Sequence, residues 1–249
     1  MKSGIDHLKL RIYGFFSKLN KRKNFHRFAR IIELIPVMLP VILVCFGISS
    51  ISLLLVGRLY SILFWAIGII LSFIASIIIY KSYNIDRPGS RLEQNLFDLL
   101  AVVGILVWAL INMYYSSQNI YSYRDPGVYG ITAAWVQRND TLNIPRSDVY
   151  GDQIEDSKIN LKTSSAGFGG SLVEKDTLYA QGQHLFPSLL GVAGRFIGDN
   201  WMYRLNAVFG GIALLSVYAV ARLFVKPRWA FVSIIIFGAT LPLIYFSRD

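Results

Sequence analysis

Apolar residues gather in five runs, near 34–56, 58–80, 97–117, 203–225 and 229–246. A hydrocarbon core about 30 Å thick takes about 20 residues of helix at a rise of about 1.5 Å each, so each run is read as long enough to cross. The first and last contain no charged residue, and the second only Arg58 at its start. Backbone groups in lipid pair within a helix or a closed barrel. The pattern therefore predicts an all-α polytopic membrane protein with about five transmembrane helices.

Between the third and fourth runs lies a polar segment of roughly 118–202, the largest outside the spans. It has two apolar islands. Asp125-Pro126-Gly127 precedes VYGITAAWVQ, in which Val128, Ile131 and Trp135 recur on one helical face. Asp at an N-cap followed by Pro at the first helical position is a start signal, so a short interfacial helix is expected near 126–138. The stretch HLFPSLLGVAGRFIG, 184–198, is apolar, too short to span and carries Arg195, which fits a re-entrant or interfacial helix. Between them TSSAGFGGS reads as loop and not as a phosphate cradle, since it lacks the Lys and strand context of a P-loop.

Charge gives the expected orientation. Nine of the 25 Lys and Arg residues fall in the first thirty positions, the loop 81–96 carries Lys81, Arg87 and Arg91, and the turn 226–228 reads Lys-Pro-Arg. Short basic loops stay cytoplasmic. The long loop is balanced: eight basic residues, with Arg204 at its edge, against nine acidic ones. A cytoplasmic N-terminus, an extracytoplasmic long loop and a plasma-membrane location follow as expectations. The net charge of +10 therefore points to phospholipid headgroups and not to nucleic acid.

Ile5, Leu8, Ile12, Phe15, Phe16 and Leu19, with Lys9, Arg11 and Lys18 among them, form a basic amphipathic pattern over 5–19. It reads first as a positive flank that sets topology, with a membrane-surface helix or partner-docking site as the alternative. The chain thus divides into a basic segment 1–30, a two-span part 31–96 and a module 97–249. At 54% hydrophobic residues and a mean hydropathy of +0.46, no soluble domain is expected.

Candidate chemistry is sparse. The only cysteine, Cys45, lies inside the first span, which rules out an intramolecular disulfide and a Cys metal site. HExxH, GxSxG, CxxC and Walker patterns are missing, and His7, His26 and His184 are scattered. Asp98 and Arg204 stand near span ends and Arg222 is placed to snorkel, so an ion-coupled transporter is a third choice. The remaining polar groups fall at one membrane face: Arg124 and Asp125, Gln181, Gln183 and His184, Arg204, and Arg248 with Asp249. A carboxylate there suits a general base, and arginines suit a phosphate leaving group. Competing readings make Asp125 a helix cap and Arg248 and Asp249 the end of a span at the headgroups.

YRDPGVYGITAAW, then QHLFPSLLG, then WMYRLNAVFGGIALLSVYAVARLF, and finally YFSRD resemble, in order and membrane side, the N-terminal part of a C-type-fold membrane glycosyltransferase, similar to the protein mannosyltransferase and aminoarabinose transferase group. The likeness covers roughly 97–249. It implies a polyprenyl-phosphate sugar as donor, transfer at the outer face, Asp125 as catalytic base and Arg124, Tyr129, Gln183, His184, Arg204, Arg248 and Asp249 as substrate-binding residues. One acid, Asp125, stands where some relatives carry a pair, and family members continue beyond YFSRD, so the chain reads as a piece of such an enzyme. No organic cofactor is implied; metal use and any protein partner stay open. The rival expectation is a non-catalytic membrane subunit of polysaccharide or envelope assembly.

Overall fold

A computed structural model describes residues 23–82, 88, 90–116, 125–145, 177–178 and 184–248, with backbone alone at 23–28, 125–128, 144–145, 177–178 and 246. The amphipathic pattern at 5–19 and the Gly-rich stretch lie outside these residues. Among the described residues the elements are helices apart from a two-residue antiparallel ladder between β1 (Ile144–Pro145) and β2 (Thr177–Leu178), within the long loop. Four described helices are long and apolar enough to cross a membrane.

α1 (Lys23–Leu55) and α2 (Ile62–Ser82) form the first hairpin. α1 ends where Gly57 takes φ of 65°, a left-handed value that costs glycine little. Arg58 N–H then bonds to Leu53 O and Gly57 N–H to Leu54 O, closing a Schellman cap. The two helices pack closely because Gly68 lies against the ring of Phe46, where a Cβ would come within 2.6 Å of ring carbons. Ser49 Oγ also donates to Phe64 O.

α3 (Arg91–Tyr114) starts at Ser90, whose Oγ accepts from Glu93 N–H. α6 (Asp199–Phe224) runs antiparallel to it, with Gly210 beside Trp108 and Gly211 beside Ala109 and Ile105. Small residues let membrane helices approach where no hydrophobic force between helices is available. A core of Ala101, Ile105, Leu214, Leu215, Tyr218, Ala230 and Ile234 follows between α3, α6 and α7 (Pro227–Gly238). At the opposite end of the bundle from the long loop, Arg222 turns inward instead of snorkelling: it pairs with Asp98 and donates Nη2 to Glu33 O at 2.7 Å. That carbonyl sits beside Ile32 O, which Pro36, lacking an N–H, leaves without its helical donor.

The fifth apolar run is two helices, α7 and α8 (Leu241–Arg248), separated at Ala239 and Thr240. Pro242 explains the break. An uninterrupted helix would pair residue 242 N–H with Gly238 O, and proline has none to give. The indole of Trp108 donates to that oxygen instead, at 2.9 Å. α8 then packs on α6 and α3, with Ser247 in the space above Gly210.

Both helices expected in the loop are present, α4 (Asp125–Arg138) and α5 (Leu185–Ile197). They share a core with the first hairpin, through Leu53, Leu54, Leu59, Phe64, Val136, Leu142 and Val192. Tyr60 Oη donates to Val136 O, a carbonyl left over at the end of α4.

Candidate functional site

α4 and α5 pair face to face because α5 presents glycine where α4 crosses it. A Cβ on Gly191 would stand 3.0 Å from Ala133 O and 3.1 Å from Gln137 N, and one on Gly194 would meet the Gln137 amide at 2.9 Å. That amide in turn donates to Asp199, joining α4 to the start of α6.

The pair is sunk into the bundle. Leu185 packs on Gly47, Ser50 Oγ donates to Ser188 Oγ at 2.8 Å, and Val192 joins Leu53 and Leu54. α5 therefore runs alongside the last part of α1 and begins level with a residue eight positions before its end, about 12 Å deep at 1.5 Å per residue. α4 keeps the same direction, since Tyr129 meets Phe186 while Val136 meets Gly191. Both helix N-termini thus point into the bundle.

A chain of rings runs from α4 through α5 to α6. Tyr129 meets Phe186 edge to face at 6.2 Å, and Phe186 meets Phe209 of α6 at 5.5 Å. Next to Phe209, Gly210 touches Ser247 and Trp108. Beyond Ser247 comes Arg248, whose Nε donates to Asn112 Oδ1 at 2.9 Å and whose guanidinium lies over the Tyr115 ring at 5.2 Å. Asn112 is itself fixed, since its Nδ2 donates to Trp108 O. With one edge and one face engaged, Arg248 forms no ion pair with a described residue and keeps its terminal nitrogens as a preoriented fork for an anion.

The expected site residues fare differently. Asp125 is the first residue of α4, with only its backbone described. Arg124, Gln183 and Asp249 lie outside the described residues. Tyr129, His184, Arg204 and Arg248 are half-buried. His184 caps α5 through its backbone, and partial burial lowers its pKa below the usual histidine value by disfavouring the charged ring. Arg204 makes no ion pair with a described residue. No cluster of three or more His, Cys, Asp or Glu suited to a metal occurs among the described residues.

Asn112, Phe186 and Phe209 were not singled out by the sequence reading. Asn112 carried a signal, being a lone amide near the end of an apolar run. One turn before Gly210 on α6, the buried Oδ1 of Asn206 has no hydrogen-bond partner among the described residues. Orphaned buried acceptors are rare, and a ligand hydroxyl or an ordered water would satisfy this one.

The architecture is that of a polytopic helical membrane protein with two short loop helices packed against the bundle. Comparison with protein-family models, with curated proteins and with solved structures gives no match.

Proposed function

We propose that this site binds a polyprenyl-phosphate sugar and passes the sugar to an acceptor at the extracytoplasmic face of the plasma membrane. The observation that carries the reading is Arg248, held by Asn112 and Tyr115 with its terminal nitrogens turned to no described carboxylate. Such a fork suits a phosphate whose lipid tail stays in the bilayer. Asp125 takes the proton from the acceptor hydroxyl or amine, and the acceptor then attacks the anomeric carbon. The bond from that carbon to the phosphate oxygen breaks, and the phosphate leaves with the electron pair. Arg124, Arg204 and Arg248 stabilise the charge that builds on it. Tyr129, Gln183, His184 and Asp249 are assigned to binding the sugar and acceptor.

The test is transfer of labelled sugar from polyprenyl phosphate by purified protein in detergent, alongside binding of unmodified polyprenyl phosphate. Asp125→Asn is expected to retain binding and lose transfer by about 100-fold or more, the scale of general-base catalysis. Undiminished turnover rules out the base role.

One observation favours a second reading, a non-catalytic subunit of envelope assembly. Tyr129 and Arg248 both make contacts inside the fold, which a purely structural role also explains. A partner protein that co-purifies equally with wild type and Asp125→Asn, in the absence of any polyprenyl-phosphate binding, would favour it.

A further inference from the structure

At the far end of α5, about 16 Å from His184 at 1.5 Å per residue, a second cation stands over an aromatic surface. Arg195 is exposed, lies over the ring of Tyr60 at 5.4 Å and forms no ion pair with a described residue. Below it the rings continue without a gap. Tyr60 meets Phe196 at 5.9 Å, Phe196 meets Trp65 at 5.2 Å, and Trp65 meets Phe46 at 6.0 Å. From Trp65 an open stripe descends α2 at i, i+4 and i+8: Trp65, Ile69 and Phe73 are 40%, 56% and 65% exposed.

This order matches one amphiphile. The positive group stands over Tyr60, at the end of the bundle where α1 turns into α2, and Arg58 in that turn is also exposed. Apolar surface runs from it toward the middle of the spans for about 12 Å between Trp65 and Phe73. α5, at 13 residues, spans about 20 Å and so covers only the upper flank of the hairpin, leaving the stripe beneath it bare. Two acids are near. Asp199, one turn after Arg195, is bonded by Gln137, and Asp140 lies close enough to Tyr60 to act on it electrostatically. Neither forms an ion pair with Arg195.

We propose that this surface is a binding site for a bilayer phospholipid, with its phosphate on Arg195 and an acyl chain along Trp65, Ile69 and Phe73. Aromatic rings at the interface hold the glycerol region, where Tyr and Trp are at home. The surface is separate from the residues around His184 at the other end of α5 and does not depend on the transferase reading.

The experiment uses the whole chain purified in a mild detergent, with fluorescently labelled phosphatidylglycerol as probe and diacylglycerol of the same acyl length as the phosphate-free control. Phosphatidylglycerol is expected to bind more tightly than diacylglycerol. Arg195→Gln is expected to cut that preference roughly fivefold, the scale of one basic residue at a membrane surface. Arg195→Lys should keep most of it, and Phe73→Ala should weaken both lipids alike. Polyprenyl phosphate serves as a competitor: failure to displace the probe supports a diacyl site, and displacement at equal concentration overturns it. Equal binding of the two labelled lipids, or an unchanged preference in Arg195→Gln, also overturns the proposal. Should Arg195→Gln not fold, added salt gives the same reading on the wild type, because screening weakens a phosphate contact and leaves the acyl contact intact.

Discussion

Nη1 of Arg222 meets Oδ1 of Asp98 at 3.1 Å, with both side chains only 1% exposed. The same carboxylate oxygen accepts from Tyr218 Oη at 2.8 Å. With Glu33 O on the other guanidinium nitrogen, this ties α1, α3 and α6 together at the end of the bundle remote from the long loop. Two charges in an apolar interior are stable as a satisfied set and costly when one is orphaned. Asp98→Ala and Arg222→Ala should each destabilise by about 3–5 kcal/mol, while Asp98→Leu combined with Arg222→Met should recover most of the loss. Thermal melts in detergent read this out; additive losses in the double variant would show that the two groups are not coupled.

Gly191 lies where α5 packs against the backbone of α4. A methyl group there meets backbone of α4, which cannot rotate away as a side chain can. Gly191→Ala should cost about 1–3 kcal/mol despite the higher helix propensity of alanine. Gly104→Ala is the control, since its Cβ would reach Phe231 only at 4.0 Å. Equal melting temperatures for the two variants would contradict the close packing.

Asn112 tests the fork of Arg248 without altering shape. Asn112→Asp is nearly isosteric and puts a negative charge on the guanidinium. Affinity for polyprenyl phosphate should fall about tenfold or more, the scale of one charge-assisted hydrogen bond at roughly 1.5–3 kcal/mol, with the melting temperature held or raised. Unchanged affinity would remove Arg248 from the phosphate site.

His184 should make stability pH-dependent at mild acidity. Its folded-state pKa lies below the usual value of about 6.5, so in the window between the two the unfolded chain binds more protons than the folded one. Stability from this group is complete above about pH 6.5 and is lost as pH falls through the unfolded value toward the folded one. The effect is small because the ring is only partly buried. His184→Gln should flatten the change in melting temperature between pH 7 and pH 5.

Much of the fold is legible along the chain because it is written in local terms. An apolar run of span length must become a helix in lipid, whatever its neighbours, and so α1, α2, α3 and α6 were foreseeable. The DP pair before VYGITAAWVQ and the short apolar stretch at 184–198 announced α4 and α5 by cap chemistry and length. The fifth run was less transparent. Thr240 and Pro242 were visible, but the break holds only because Trp108, 130 residues away, accepts the role of the missing donor on Gly238.

What the sequence by itself determined is the class: helices long and apolar enough to cross a membrane, and one polar loop carrying two short helices. Periodicity, length and composition are properties of a segment alone, and solvent decides their outcome. Only the tertiary structure decided that Arg222 is buried on Asp98 and does not snorkel, that α4 and α5 start deep in the bundle, and that Asn112 fixes Arg248. Those are pairings between segments far apart in the chain. They depend on which faces come together, and glycine contacts at Gly68, Gly191 and Gly210 set that register through space that no single segment encodes.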